Sequence, residues 1–332
     1  MTPSYTPETD APIFWVISDG RKGIENQALG LAEAAGRINP LSIQRCVINN
    51  KSAFKAASPR LQFALKSKIS DYGLSHPLPE FAIGCGRQAI APLLALKKAN
   101  PHIFTAYIQD PRVDASLFDV VFAPEHDKLS GANVETMIGS PNRVTRELIV
   151  TQTVQFAENL SKLPMPRIAM LIGGNSKTHK LSKLNHAEHL RAAKRAITEG
   201  YSLMITPSRR TPSWAIEDYK RLASDYDAVW LYTGEGENPY FAFLGGAESI
   251  LVTEESTNML TEACATGKPV FRLPMSGEAK KFKQLYDALE SQCGVKLFDG
   301  EFTGEDYNPL NETERAAEKF WAHAERRLAL LN

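Results

Sequence analysis

Apolar runs that lead into glycine-bearing polar loops and then into helices, in both halves of the chain, predict an α/β protein built on open parallel sheets. Three observations carry this expectation. The stretch 248–274, ESILVTEESTNMLTEACATGKPVFRLP, holds a buried strand (249–252), a polar turn (253–257), a helix (258–266), a stop at Gly267 and a second strand (270–273). Such a unit forces a parallel pair and a right-handed crossover. The same grammar opens at 12–19, PIFWVISD, and restarts at 167–172 behind Lys162-Leu163-Pro164-Met165-Pro166, a proline pair suited to a linker. At 332 residues the chain has room for two domains. The expected division is 1–163, 164–311 and a final amphipathic helix within 312–332.

Composition excludes several classes of partner. Lys plus Arg and Asp plus Glu both total 38, so the net charge is zero and neither nucleic acid nor a strongly anionic membrane is indicated. Cys46, Cys85, Cys264 and Cys293 are scattered without CxxC or metal-ligand spacing, as in a reducing compartment. The opening MTPSYTPETDAP is polar, and no run approaches the roughly 18 apolar residues of a membrane span. A soluble, cytoplasmic protein is expected.

In the first half, the strand at 12–19 runs into a loop of Gly20, Arg21, Lys22, Gly23, Ile24, Glu25, Asn26 and Gln27, followed by a helix up to Ala35. A glycine loop between a first strand and a first helix suits an anion or a sugar, the alternative being a tight connection. A second strand is expected at 42–48 and a basic amphipathic helix at 54–69 with solvated lysines. Gly84, Gly86 and Ala89 read as GxGxxA after a strand, with Asp110 beyond the next strand at 103–108, which imitates a dinucleotide fingerprint. An NAD(P) site is therefore one reading; close approach of a helix to a ligand or a neighbouring strand is the favoured one. Strands follow at 118–122 and 134–138. His126, between them, is a candidate general base, with an inert surface-loop histidine as the favoured reading.

In the second half, a helix at 145–160 precedes the proline pair. The strand at 167–172 ends in Gly173, Gly174, Asn175, Ser176 and Lys177, which offers close backbone approach, free N–H donors and one cation to a diphosphate. The Walker spacing is absent. His179, His186 and His189 suggest a metal, but an exposed helix face at 182–199 is the favoured reading. After the strand at 201–206, Arg209 and Arg210 flanked by Ser208 and Thr211 suit bidentate phosphate recognition, or form an exposed basic turn. A short strand at 228–232 and a glycine-rich loop at 233–240 lead to the 248–274 unit. Its turn, Glu254, Glu255, Ser256 and Thr257, lies at the C-terminal edge of a parallel sheet, where such sheets bind ligands. Helices at 280–291 and 312–331 close the chain.

The order of these motifs resembles the ELM family of plant mitochondrial-fission factors and their bacterial homologues. The motifs are Asp19-Gly20-Arg21-Lys22-Gly23, Gly84-Cys85-Gly86-Arg87, Gln109-Asp110-Pro111, Gly173-Gly174-Asn175-Ser176, Thr206-Pro207-Ser208-Arg209-Arg210-Thr211 and Thr253-Glu254-Glu255-Ser256. The layout is also similar to B-type glycosyltransferases, such as the UDP-GlcNAc transferase of the lipid-linked peptidoglycan precursor. That resemblance implies two Rossmann-like domains facing across a cleft, with the closing helix crossing back onto the first, and a metal-independent protein that binds a nucleotide-diphosphate sugar as co-substrate, a UDP-sugar first, without other cofactor. It implies that Gly173, Gly174, Asn175 and Ser176 lie near the diphosphate, and that Glu254, Ser256, Thr257 and Asn258 face diphosphate and sugar; Lys177, Arg209, Arg210 and Thr211, read from their own loops as suited to phosphate, are expected to bind the same diphosphate. Glu262 takes the place of the ribose-holding carboxylate, and Asn238 and Tyr240 flank the base. Gly20, Arg21, Lys22, Gly23, Asn26, Gln27, Gly84, Gly86, Arg87, Gln109 and Asp110 fall on the acceptor side. Where the transferase has a histidine this chain has Ile24, leaving Asp19 or Glu25 as base. The resemblance allows a lipid-linked acceptor with peripheral membrane association. It equally allows a non-catalytic recruiting protein with protein partners.

Overall fold

A computed structural model describes residues 11–48, 56–278, 280–305 and 307–329. The polar segment 1–10 and residues 54–55 of the expected basic helix lie outside this set. The chain divides into two units, Met1–Arg143 with Asn311–Asn332, and Val144–Leu310.

The first unit alternates β1 (Ile13–Ser18), α1 (Lys22–Ile38), β2 (Ser42–Val47), α2 (Pro59–Leu65), β3 (Phe81–Cys85), α3 (Ile90–Ala99), β4 (Phe104–Ile108), β5 (Val120–Pro124) and β6 (Val134–Met137). Its sheet has the order β2-β1-β3-β4-β5-β6, every pair parallel. Period-two alternation sends Phe14 and Val16 of β1 to one core layer and Trp15 and Ile17 to the other. Two expectations change here. The loop expected at 20–27 is only Gly20 and Arg21 long, because α1 begins at Lys22. The basic helix expected at 54–69 is the short α2, capped by Ser58 Oγ on the Leu61 N–H and ended at Lys66.

The second unit begins with α4 (Arg146–Gln155) and α5 (Ala157–Ser161), which interrupt at Phe156 the single helix expected at 145–160. It continues with β7 (Arg167–Ile172), β8 (His179–Lys180), α6 (Lys183–Thr198), β9 (Ser202–Pro207), α7 (Ser213–Asp225), β10 (Val229–Leu231) and α8 (Tyr240–Gly246). Then come β11 (Ser249–Thr253), α9 (Thr257–Cys264), β12 (Val270–Leu273), β13 (Ser276–Gly277), α10 (Lys280–Cys293) and β14 (Lys296–Leu297). The parallel sheet runs β10-β9-β7-β11-β12-β14. Counted along the chain within this sheet, that is 3-2-1-4-5-6, the dinucleotide-fold order, whose switch point lies between β7 and β11. The division falls at Arg143 and Val144 rather than at the proline pair. The reason is that Ile149 and Thr153 of α4 close on the bare backbone of Gly245 in α8, so α4 belongs to the second unit.

The last helix, α11 (Glu312–Ala329), belongs to the first unit. Phe320 is fully buried there, stacked on Phe14 and edge-on to Phe104, both at 5.2 Å between ring centroids, and Trp321 donates to the Ala35 carbonyl at 3.0 Å.

Candidate functional site

The switch point of the second unit brings three loops together at the C-terminal ends of β7, β9 and β11. Thr253 ends β11, and Glu255 lies in the turn that follows, closed by the Ser256 N–H on the Thr253 carbonyl at 3.1 Å. Thr253 Oγ1 accepts the Gly173 N–H at 2.7 Å, and Glu255 Oε1 accepts the Gly174 N–H at 2.6 Å. Arg210 Nη2 reaches the same Glu255 oxygen at 3.2 Å, while its carbonyl accepts the Asn175 N–H at 3.1 Å. Thr211 Oγ1 donates to the carbonyls of Ile172 and Gly173. A Cβ on Gly173 would strike the Glu255 carboxylate, and one on Gly174 would strike the backbone at Arg210 and Thr211. The glycines are needed for this packing, and their N–H groups, expected to be free for a ligand, are spent within the protein. Burial pushes the Glu255 carboxyl above the usual carboxylate range, against the opposing pull of the Gly174 N–H and Arg210.

Beside this cluster, Tyr240 Oη donates to Glu262 Oε2 at 2.5 Å, and Asn238 Oδ1 accepts the Tyr240 N–H at 3.0 Å. Glu262 is 8% exposed, and burial lifts its carboxyl to about 7. Asn175 and Ser176 bond within their own segment: Asn175 Oδ1 accepts the Leu181 N–H and Ser176 Oγ the His179 N–H, both at 3.0 Å. Arg209 and Lys177 are exposed, and Ser256 precedes α9 without a side-chain cap on its first turn, so N–H groups of α9 at Thr257 and Asn258 head toward this edge. Glu254 turns the other way, to Arg272 Nη1 at 3.4 Å and the Met275 N–H at 2.8 Å. Of the paired glutamates, the one absent from the expected site, Glu255, is the one at the glycine loop.

In the first unit, Arg21 is paired with Asp19 at 2.8 Å beside Gly20, whose φ is +77°. Glu25 is buried; burial disfavours its charge, but Arg45 at 2.7 Å and Lys22 at 3.4 Å outweigh that and hold its carboxyl below the usual range. A base needs the opposite shift, so Glu25 is an ion-pair partner in this structure. Gln27 Oε1 accepts from Cys85 Sγ at 3.4 Å and from Gln109 Nε2 at 3.2 Å, and Gln109 holds a left-handed φ of +83°. Asp110 pairs with the exposed Arg112 at 2.8 Å. Gly86 (φ +79°) leaves room for Ile24, and Gly84 for Ala89 and Leu93, so the GxGxxA glycines serve close packing of α1 and α3 on β3. Lys22, Gly23 and Asn26 fall in the first turns of α1, and Arg87 opens the turn ahead of α3.

The family profile for Mitochondrial fission ELM1 matches residues 22–323. The chain belongs to the mitochondrial fission ELM1 family. It is similar to Mitochondrial fission protein ELM1 of Arabidopsis thaliana, 25% identical over 72% of this chain, and the match spans 62% of that relative's length. It is also similar to the uncharacterized protein RP120 of Rickettsia prowazekii, 23% identical over 92% of this chain and 96% of the other. Among solved structures, UDP-GlcNAc 2-epimerase from Neisseria meningitidis bound to UDP-GlcNAc superposes with a TM-score of 0.58 at 13% identity, over 95% of this chain and 99% of that one. The shared fold is two Rossmann-like domains of the glycosyltransferase-B type.

Other residues of this ELM1-family chain sit differently from expectation. His179, His186 and His189 do not make an exposed face, since all are buried: His186 and His189 because α6 turns them to Asp218 of α7 and the Pro274 carbonyl after β12, and His179, on β8, stacked on Phe282 of α10. His186 Nε2 lies 3.0 Å from Asp218, and His189 Nε2 donates to the Pro274 carbonyl at 2.9 Å, with burial pushing His189 down to about 4. Among the described residues no cluster of three His, Cys, Asp or Glu could hold a metal. His126 is buried rather than at the surface. Lys268, half-buried, caps a helix end that the sequence did not announce: its ammonium donates to the carbonyls of Leu244, Gly245 and Ala247 at the end of α8. Among the described residues no helix is long and apolar enough to cross a membrane.

Proposed function

We propose that the second unit of this chain binds a nucleotide-diphosphate sugar at the C-terminal edge of its sheet. The observation that carries the reading is the 3-2-1-4-5-6 strand order, which puts Gly173, Gly174, Arg210 and the start of α9 at one switch point, with a buried carboxylate, Glu262, on α9 itself. Glu262 would accept the two ribose hydroxyls, Tyr240 would hold it in place, and Asn238 would border the base. Arg209, Arg210, Lys177 and the first turn of α9 would offset the diphosphate charge without a metal, and Ser256, Thr257 and Asn258 would bond its oxygens. The UDP-GlcNAc bound by the Neisseria epimerase makes a UDP-sugar the first ligand to try. Calorimetry of the full chain with UDP, ADP and GDP is expected to give saturable binding of at least one, weakened tenfold or more by Arg209→Ala. No binding to any of them by folded protein would end this reading.

A second reading, binding and recruitment without sugar transfer, is favoured by Glu25. Transfer to an acceptor hydroxyl, lipid-linked or otherwise, needs a base, and Arg45 and Lys22 keep Glu25 ionised and weakly basic. Asp19, bonded to Arg21, is the remaining candidate. A recruiting protein predicts that Asp19→Asn and Glu25→Gln leave UDP binding and partner capture unchanged. UDP release from a UDP-sugar that is abolished by Asp19→Asn would establish transfer instead.

A further inference from the structure

One oxygen of Glu255 holds both the Gly174 N–H and Arg210 Nη2. A backbone N–H and a guanidinium converging on one acidic oxygen is how proteins commonly hold a phosphate. Here a carboxylate of the chain occupies that arrangement. Its side chain is fully buried, and its second oxygen, Oε2, has no hydrogen-bond partner among the described residues. An acceptor left bare in the interior is costly, so a purely structural carboxylate gains by satisfying both oxygens. A carboxylate that fills a place shaped for a larger anion does not. The place itself is made by sequence: Glu255 fills the volume that a side chain would take at Gly173, while the backbone at Arg210 and Thr211 closes on Gly174. Arg210 stays half-exposed, with Nε and Nη1 unengaged among the described residues, so its guanidinium remains open to a second acceptor.

We propose that Glu255 is an intramolecular anion standing in the phosphate position before Gly173 and Gly174, and that a diphosphate binds by displacing its carboxylate from the Gly174 N–H and Arg210. The inference rests on reading this edge as a diphosphate site. The exchange sets the affinity: the ligand gains two donors that Glu255 gives up. Removing the carboxylate therefore strengthens anion binding, whereas removing a strut that aims Arg210 would weaken it.

Calorimetry of the full chain with inorganic pyrophosphate and with UDP separates these outcomes, using wild type, Glu255→Gln and Glu255→Ala. Expected is pyrophosphate binding at least tenfold tighter in both variants, a gain cancelled when Arg210→Ala is added. Unchanged, absent or weaker pyrophosphate binding in both variants overturns the proposal, as does loss of cooperative melting in both, which would make Glu255 a strut. Equal UDP binding by all three proteins without a pyrophosphate gain keeps the nucleotide reading and rejects the exchange. A pyrophosphate gain with no UDP binding by any protein does the reverse.

Discussion

Glu262 is the residue where burial and chemistry pull hardest against each other. A carboxyl raised from 4.5 to about 7 by burial is ionised in the unfolded chain before it is ionised in the folded one. Its folded-state pKa is raised, so the native state is favoured most below 4.5 and loses stability as pH climbs to about 7. The loss is up to about 3 kcal/mol. Glu262→Gln removes this slope: its melting temperature relative to wild type is expected to rise between pH 4.5 and 7 and to level off above. A difference that stays flat with pH would show that Glu262 keeps an ordinary carboxylate affinity. The same titration bears on the ligand, since an ionised carboxylate is the better acceptor for ribose hydroxyls. Nucleoside diphosphate affinity should therefore fall more steeply below pH 7 in wild type than in the glutamine variant, where only the ligand's own phosphate titrates.

Among the elements, helix contacts made over glycine are the most sensitive joints. At Gly245 a Cβ would lie 2.6 Å from Ile149 Cγ2 and collide with Thr153 Oγ1, so α8 and α4 meet backbone to side chain. Gly245→Val is expected to cost about 2 kcal/mol or more in urea unfolding, and an unchanged midpoint would show that α4 is loosely held. This contact was invisible in the sequence. A proline pair advertises a linker, but nothing in 145–160 announces that its helix packs onto a glycine nearly a hundred residues later. Strands and their order of motifs were legible, because buried parallel strands read as continuous apolar runs bounded by glycine and proline. The direction of Glu254 and Glu255 was not legible, because β11 ends at Thr253 and both lie in the turn that follows, where period-two alternation no longer applies. What the sequence could not disclose was satisfaction: whether the N–H groups of Gly173 and Gly174 stay free depends on side chains some eighty positions away. The burial of His186 and His189 was hidden for a related reason, since polar residues on a helix read as solvated unless their partners, Asp218 and the Pro274 carbonyl, are known.

For the whole molecule, the division into units makes a direct expectation. Residues 144–310 contain their own six-stranded sheet and core and should fold alone, with one cooperative melting transition. Residues 11–143 alone leave Phe14, Phe81 and Phe104 without Phe320, and should expose apolar surface that binds a hydrophobic dye. A peptide of residues 311–329 added in trans should restore a folded first unit. Cooperative, dye-free folding of 11–143 without it would show that α11 is an accessory.

The placement of Phe320 also sets a timetable. On a ribosome, the strands of the first unit emerge early, but the helix that covers their aromatic layer is made only after all of residues 144–310. The second unit can therefore be complete while the first still waits, the reverse of the usual N-to-C order of maturation. For that interval Phe14, Phe81 and Phe104 form an apolar face in want of a cover, and chaperone demand during synthesis should fall as soon as α11 is released.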